Sequence, residues 1–246
     1  MYFDEHGNKE NPTIVMLHGA FFVETYGRQY SLCDRFHMVI PHIKGFGKAA
    51  AETFTTKSAI IELEELIRGF APVYLVGFSL GAQLGFKLLT ERSELFRRAI
   101  IVSPWLVNKE VIPEEIMDAN MKQLRQMKKR SFSHMIALIN GMPKLQRTEF
   151  IDAMQLVSEK TVRNCVDNGI SFDYVRGFEE CKVPTLVIAG SKEQEDVVNS
   201  VKYMAEINAC CNYEIWEKAA HNIPPVFAKR FNKKIVEFFG VTEQQK

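Results

Sequence analysis

The sequence lacks the patterns that mark several large classes of protein. Its five cysteines are odd in number, scattered and without CxxC spacing, which predicts reduced thiols rather than a disulfide framework or a zinc site. No apolar run approaches the ~18 residues of a membrane-spanning helix. The first residues contain neither a basic segment nor an apolar stretch of the kind found in signal peptides. These absences predict a cytoplasmic protein.

Neither sign of charge dominates the chain of 246 residues. Its 31 basic and 30 acidic side chains give a formal net charge of +1, so no overall field attracts nucleic acid or an anionic membrane. The sequence also has no paired metal-ligand spacing, no glycine-rich phosphate loop and no dinucleotide fingerprint. We therefore expect a small-molecule partner, with no nucleic acid, no membrane, no metal and no cofactor.

Short aliphatic runs alternate along the chain with longer amphipathic stretches. Nearly continuous apolar runs are typical of parallel strands that helices cover on both faces, so the alternation predicts an α/β fold with a mostly parallel central sheet. The predicted strands are 13–17, 37–41, 73–77, 99–103, 185–189 and 213–216. The predicted helices are 24–35, 56–68, 80–91, 197–207 and 225–239. A short extra strand is expected at the sheet edge, over residues 2–4.

The alternation stops over residues 105–183, where helical segments rich in Met, Lys, Glu and Gln replace the strands. Met117, Met121, Leu124 and Met127 follow helical spacing, which predicts a small helical core. The sequence thus predicts one α/β core, formed by residues 1–104 and 184–246, that carries residues 105–183 as a helical cap or lid.

One motif points to a nucleophile. Gly77-Phe78-Ser79-Leu80-Gly81 follows a predicted strand and precedes a predicted helix, the context that the G-x-S-x-G elbow requires. The nucleophile of such an elbow lies on a strained turn, and its neighbours must be small because backbone and helix approach closely. Ser79 is therefore the predicted nucleophile, and an ordinary glycine-rich turn is the alternative.

A serine hydroxyl is a weak nucleophile at neutral pH and needs a base that a third group orients. Of the six histidines, His221 is the one in a loop between the last predicted strand and the last predicted helix. Loops at the carboxyl ends of parallel strands carry the ligand-facing residues of open α/β sheets. We therefore predict His221 as the base.

Together these residues resemble the α/β-hydrolase superfamily, over essentially the whole chain apart from the details of the insertion. The family's early His-Gly signature is similar to His18-Gly19-Ala20. By this resemblance the backbone N–H groups of Ala20 and Leu80 form the oxyanion hole, and His18 holds its loop rather than acting as the base. Residues 40–47 are similar to the family's D-x-x-G-x-G loop, with His42 in place of the usual Asp. We expect that departure to affect hydrogen bonds in the loop rather than catalysis.

The acid of the family follows the penultimate strand, commonly as G-x-x-D, and Gly190-Ser191-Lys192-Glu193 places Glu193 at the matching position. A glutamate can accept the N–H of His221 and stabilise the imidazolium, although its extra methylene changes the reach. Asp196 and Glu195 stay open as alternatives with a longer loop, as does an acidic loop without a catalytic role.

Four aromatic residues lie next to the predicted catalytic loops, namely Phe21, Phe22, Phe78 and Trp105. They are candidates for the wall of an acyl pocket, and an ordinary core role is equally compatible with the sequence.

The function that the resemblance implies is hydrolysis of a small ester or thioester through an acyl-enzyme on Ser79. Thioesterases, lactonases, carbon–carbon bond hydrolases and acyltransferases use the same apparatus, and fold resemblance does not separate them. A ligand-binding protein with little turnover and a structural or interaction protein are the alternatives outside enzymes. The complete set of predicted catalytic parts favours an enzyme.

Overall fold

A seven-stranded sheet lies at the centre of the computed structural model, which describes residues 1–21, 23–106, 114–139, 142, 144–173 and 175–241. The strands are β1 (Phe3–His6), β2 (Thr13–Leu17), β3 (His37–Pro41), β4 (Val73–Phe78), β5 (Phe96–Val102), β6 (Thr185–Gly190) and β7 (Cys211–Trp216). Their order in the sheet is β1-β3-β2-β4-β5-β6-β7, and every neighbouring pair is parallel except β1 with β3. The predicted α/β fold with a mostly parallel sheet and a short strand at its edge is confirmed.

Helices connect most of the strands. They are α1 (Thr56–Arg68), α2 (Leu80–Glu91), α3 (Glu114–Met127), α4 (Arg130–Ile139), α5 (Lys144–Leu156), α6 (Glu159–Asp167), α7 (Glu195–Ile207), α8 (Ile223–Val226) and α9 (Ala228–Phe239). The predicted bounds of α1 and α2 agree with the structure. The single predicted helix 225–239 is wrong at its start, where the short α8 carries Pro224 and Pro225 and ends before α9 begins. Proline lacks a backbone N–H and so limits the helical hydrogen bonds of this segment.

Helices pack on both faces of the sheet, and successive side chains of a strand point to alternate faces. In β2, Val15 and Leu17 belong to one buried cluster, which includes residues of α1, α2 and α7. Ile14 and Met16 belong to a second cluster, which includes residues of α9. This two-sided burial explains why β2, β4 and β6 are almost entirely apolar in sequence.

The predicted α-helix 24–35 is wrong, because the chain there forms a 3₁₀ helix over Val23–Leu32. A 3₁₀ helix has three residues per turn, so residues three apart share a face. Val23, Tyr26, Gln29 and Leu32 have this spacing, and all four are buried. The hydroxyl of Tyr26 donates to the carbonyl of Leu17, and the amide of Gln29 donates to the carbonyl of Pro224. Tertiary contacts of this face thus favour the tighter helix.

Helices α3 to α6 fill the interval between β5 and β6, and the described part of residues 105–183 contains no strand. Met121, Leu124 and Met127 are buried on one side of α3, as their spacing predicts. They belong to the same apolar cluster as Leu17 of β2. Helix α5 also packs against the 3₁₀ helix Val23–Leu32 and a second one at Gly47–Ala49. The core is therefore continuous from the sheet into these helices.

The thiols agree with the expectation from the sequence. All five cysteines lie in the described ranges, and all are free: Cys33, Cys165, Cys181, Cys210 and Cys211. Burial raises the pKa of Cys165, Cys181 and Cys211, which keeps these thiols protonated and unreactive at neutral pH. Over the part of the chain that the structure describes, none of the helices combines the length and the apolar character needed to cross a membrane.

Candidate active site

The predicted catalytic residues follow strands at the carboxyl edge of the sheet. Strands β2 and β4 are neighbours, with Leu17 paired to Gly77. After β2 the chain continues to β3 on one side of this pair, and after β4 it continues to β5 on the other side. Such a switch point opens a crevice beyond the strand ends, where open α/β sheets bind their ligands. His18 follows β2 and Ser79 follows β4, so both lie at this crevice.

Ser79 lies on a strained turn between β4 and α2. Its φ of 54° and ψ of −113° fall outside the regions that a non-glycine residue usually adopts. A Cβ atom at Gly77 would lie 2.5 Å from the carbonyl oxygen of Gly81, so the turn needs glycine at that position. The predicted small neighbours of Ser79 therefore have a direct steric reason.

Three side chains from three separate loops meet at this turn. The Oγ of Ser79 lies 2.9 Å from the Nε2 of His221, and the Nδ1 of His221 lies 2.7 Å from the Oε2 of Glu193. Ser79 and His221 are 142 residues apart in sequence, so the sheet rather than any local motif brings them together. The alternatives Glu195 and Asp196 lie in the first turn of α7. The carboxylate beside His221 is that of Glu193.

The Glu193 carboxylate is buried and receives several hydrogen bonds. Its side chain is 2% exposed. The Oε1 atom accepts from the backbone N–H of Gly190 at 2.8 Å and from the Oγ of Ser103 at 2.7 Å. Burial by itself raises the pKa of Glu193, but the hydrogen bond and charge of His221, together with the Gly190 and Ser103 donors, outweigh it and the pKa is lowered. The carboxylate is therefore ionised at neutral pH.

The loops that carry Glu193 and His221 are tied to each other. The N–H of Lys192 donates to the carbonyl of Ala219 at 2.9 Å, and the N–H of Lys218 donates to the Oγ of Ser191 at 3.0 Å. A Cβ atom at Gly190 would lie 2.3 Å from the Ala219 oxygen, so glycine permits this close contact. These contacts fix the distance between the carboxylate and the imidazole.

His18 is fully buried and connects two loops. Its Nε2 accepts from the backbone N–H of Ile43 at 3.1 Å, so the proton lies on Nδ1, which donates to the carbonyl of Gly19 at 2.8 Å. Burial lowers the pKa of His18 to about 3, so the ring is neutral. This geometry agrees with the loop-holding role that the sequence predicts for His18.

The backbone N–H of Ala20 lies in the loop after β2, and that of Leu80 directly follows Ser79 at the start of α2. Leu80 is the first residue of α2, where a helix leaves its N–H groups without intrahelical partners. A Cβ atom at Gly19 would lie 3.2 Å from the Cβ of Ser79, which shows how closely the Ala20 loop approaches. Among the described residues, neither amide has a hydrogen-bond acceptor. Both are available to a ligand oxygen.

The predicted pocket residues have different surroundings. Phe78 is buried, and its ring centroid lies 5.0 Å from that of His221. Phe21 is buried, has a φ of 69° and packs edge-on against Phe46. Trp105 is partly buried against the apolar core. Phe22 lies outside the described residues.

His42 holds its loop through two hydrogen bonds. Its Nδ1 accepts from the N–H of Lys48 at 2.9 Å, and its Nε2 donates to the Oδ2 of Asp4 at 2.9 Å. Asp4 belongs to β1, so the edge strand supplies a carboxylate to this loop. The expected effect of His42 on loop hydrogen bonds agrees with these contacts.

Sequence reasoning missed Ser103. The predicted strand 99–103 includes it as an ordinary strand residue, whereas β5 ends at Val102 and Ser103 turns to a φ of 53°. Its position after a strand, at the carboxyl edge, was the available signal. Within the described ranges, no group of three or more His, Cys, Asp or Glu side chains is placed to hold a metal ion.

A family model described as the alpha/beta hydrolase family matches residues 14–233. Among solved structures, an esterase from Exiguobacterium antarcticum is 20% identical, with a TM-score of 0.74 over 97% of this chain and 95% of that one. A bromoperoxidase from Bacillus anthracis is 17% identical, with a TM-score of 0.76 over 97% and 95%. An enol-lactonase from Burkholderia xenovorans LB400 is 16% identical, with a TM-score of 0.76 over 97% and 96%. At the level of sequence, no curated protein matches this chain.

Proposed function

This chain belongs to the alpha/beta hydrolase family, and on that premise we propose that it is a serine hydrolase that cleaves a small ester or thioester through an acyl-enzyme on Ser79. One observation carries the proposal: the hydroxyl of Ser79, the imidazole of His221 and the carboxylate of Glu193 form a hydrogen-bonded series at 2.9 and 2.7 Å. That order of groups is the one that activates a serine.

In the first step, His221 acts as the general base. The ionised Glu193 accepts the Nδ1–H of His221 and so leaves the lone pair of Nε2 directed at Ser79. As Ser79 attacks the substrate carbonyl, its proton moves to Nε2, and Glu193 stabilises the imidazolium that forms. The same proton then passes to the leaving alcohol or thiol, which gives the acyl-enzyme.

The N–H groups of Ala20 and Leu80 stabilise the oxyanion of the tetrahedral intermediate. They flank Ser79 and have no acceptor among the described residues, which supports this role. Fixed backbone donors of this kind contribute about 10²- to 10³-fold each to the rate.

Water completes the reaction. His221 removes a proton from the water as it attacks the acyl-enzyme, and the proton is returned to Ser79 when the acid product leaves. Apart from substrate and water, every group in the proposed cycle is a side chain or a backbone amide of this chain, so the proposal includes no metal and no cofactor.

Specificity is assigned to the cap and to the aromatic side chains beside the nucleophile. Residues 105–183, which include α3 to α6, are proposed as the cap over the crevice, with Phe21, Phe78 and Trp105 in the pocket wall. Phe78 packs on His221 and also orients the base. A small neutral ester or thioester fits this setting, because aromatic walls bind apolar acyl groups. The predicted cytoplasmic location stays a prediction.

The test is intact-protein mass spectrometry after treatment with a fluorophosphonate, which reacts with activated serines and does not require the natural substrate. Wild type is expected to gain a single adduct, whereas Ser79→Ala and His221→Ala gain none. Ser93→Ala is the matched control and should gain the adduct like wild type. Ser93 precedes β5 and so lies at the amino ends of the strands, whereas Ser79 lies at their carboxyl ends. An adduct on Ser79→Ala would show that another residue is the nucleophile.

A further inference from the structure

Ser103 donates a hydrogen bond to the carboxylate that orients the base. Its Oγ donates to the Oε1 of Glu193 at 2.7 Å, and the residue is 1% exposed. The hydroxyl thus lies out of reach of bulk solvent, with an ionised oxygen as its acceptor. Hydrogen bonds to charged groups are stronger than those between neutral groups.

The backbone of Ser103 is strained in a way that serves this contact. Its φ of 53° lies in the left-handed region, which a non-glycine residue seldom adopts. The following residue is Pro104, which by itself favours an extended conformation for Ser103. The N–H of Ser103 still donates to the carbonyl of Ile188 in β6 at 2.8 Å, so the turn is anchored to the strand that leads to Glu193. The chain keeps a side chain at a position where glycine would be relaxed.

The two oxygens of Glu193 have separate partners. Oε1 accepts from Ser103 and from the Gly190 amide, whereas Oε2 faces the Nδ1 of His221. A glutamate has one more rotatable bond than an aspartate, so its carboxylate needs a second anchor to stay in one orientation. The Gly190 amide ends β6, three residues before Glu193, whereas Ser103 ties the same oxygen, Oε1, to the end of β5.

We propose that Ser103 is a positioning residue for the reaction on Ser79, because it fixes the Glu193 carboxylate so that Oε2 faces His221. This inference rests on the proposed function. Ser103 acts through Glu193, because its described hydrogen bonds go to Glu193 and to Ile188 rather than to the Ser79 hydroxyl. The hydrogen bond from Ser103 restrains the longer glutamate side chain, which an aspartate with its shorter side chain would need less.

Loss of the hydroxyl should change turnover and its pH dependence. Ser103→Ala is expected to lower kcat about tenfold with little change in KM, because the base rather than substrate binding is affected. The groups facing the Glu193 carboxylate are the titratable His221 from the loop after β7, the uncharged Ser103 after β5 and the Gly190 amide at the end of β6. Without the Ser103 donor the carboxylate becomes more basic, so it binds a proton at higher pH and also holds the imidazolium proton more tightly. The acid limb of the pH–kcat profile should therefore move to higher pH by roughly half a unit to one unit.

Ser103→Gly separates this role from a structural one. Like Ser103→Ala, it removes the hydroxyl, so it should lower kcat by the same factor. Because glycine adopts a positive φ without strain, Ser103→Gly should unfold at a higher denaturant concentration than Ser103→Ala. A loss of kcat that follows stability, with Ser103→Gly near wild type, would show that the residue only supports the fold. In the Glu193→Gln background, Ser103→Ala should cause little further loss, because the charged acceptor is already gone.

The experiment measures p-nitrophenyl acetate hydrolysis and, over the same pH series, the rate of fluorophosphonate labelling, so that slow ester turnover does not prevent an answer. Ser79→Ala is measured in parallel. If Ser79→Ala is inactive and both Ser103 variants keep the wild-type kcat and acid limb, the inference about Ser103 is wrong and the proposed function stands. If Ser79→Ala stays active, the proposed function itself fails.

Discussion

Gly81 in the first turn of α2 touches the end of β2, because a Cβ atom at Gly81 would lie only 2.1 Å from the carbonyl oxygen of Leu17. The N–H of Gly81 donates to the carbonyl of His18 at 3.0 Å across the same contact. The backbone of the first turn of α2 therefore packs directly on the backbone at the end of β2. No L side chain fits there without moving one of them.

Gly81→Ala should accordingly destabilise the protein. We expect a loss of about 1–3 kcal/mol in the free energy of unfolding, the usual cost of overpacking, measured by urea denaturation. Gly69→Ala is the control, since Gly69 is exposed at the end of α1 with a right-handed helical φ of −66°. Equal stability of Gly81→Ala and wild type would mean that β2 and α2 lie farther apart than described.

Substitutions of Glu193 should separate its charge from its reach. Glu193→Gln is expected to lower kcat by about 10³- to 10⁴-fold, because the imidazolium loses its counter-charge and the imidazole its correct tautomer. Glu193→Asp keeps the charge but cannot contact Ser103 and His221 together, so a smaller loss of about tenfold is expected. Glu195→Gln, an exposed carboxylate at the start of α7, should leave kcat unchanged. A larger effect at residue 195 than at 193 would reassign the acid.

His18→Ala should affect both stability and rate. The change leaves the buried Ile43 amide without its acceptor, which costs about 1–3 kcal/mol in the free energy of unfolding. It also frees the loop that carries the Ala20 N–H, so kcat should fall by about tenfold at a temperature where circular dichroism shows a folded variant. His134→Ala, on the exposed side of α4, is the control for both measurements. Unchanged kcat in folded His18→Ala would exclude a role for this loop in the oxyanion hole.

Glu24 gives the protein a pH dependence that is independent of catalysis. It lies on the 3₁₀ helix after the Ala20 loop, where burial and, to a smaller extent, the charges of Glu149 and Asp4 raise its pKa from 4.5 to about 8. Between these two pH values the folded protein retains a proton that the unfolded chain releases. The contribution of Glu24 to the free energy of unfolding therefore falls as pH rises through this window.

Glu24→Gln removes this dependence, because an amide does not ionise. The difference in the free energy of unfolding between the variant and wild type should shift in favour of the variant by about 1 kcal/mol or more when the pH is raised from 5 to 8. Guanidinium unfolding at both pH values measures the difference. Glu65→Gln, on the exposed face of α1, should change in parallel with wild type. A constant difference between Glu24→Gln and wild type would mean that Glu24 ionises normally in the fold.

Local patterns predicted the parts of the fold that local forces control. The bounds of β2 and β3 agree with the structure because both strands are short apolar runs bounded by polar or turn residues. Helix α1 begins where predicted because the side chain of Thr55 caps it by accepting from the N–H of Ser58. The 3₁₀ helix Val23–Leu32 was predicted with the wrong type, because its buried contacts lie outside the segment: Tyr26 bonds to the end of β2, and Gln29 bonds to Pro224, which is 195 residues away.

The sequence by itself determined the sheet-and-helix alternation, the strained turn at Ser79 and the position of His221 after the last strand, because each depends on neighbours within a few residues. Only the tertiary structure decided which carboxylate faces His221 and that Ser103 holds its other oxygen. Glu193 and Ser103 are 90 residues apart, and their contact exists because β5 and β6 are adjacent in the sheet. Pairing of that kind leaves no trace in local spacing, since it depends on how the whole chain packs.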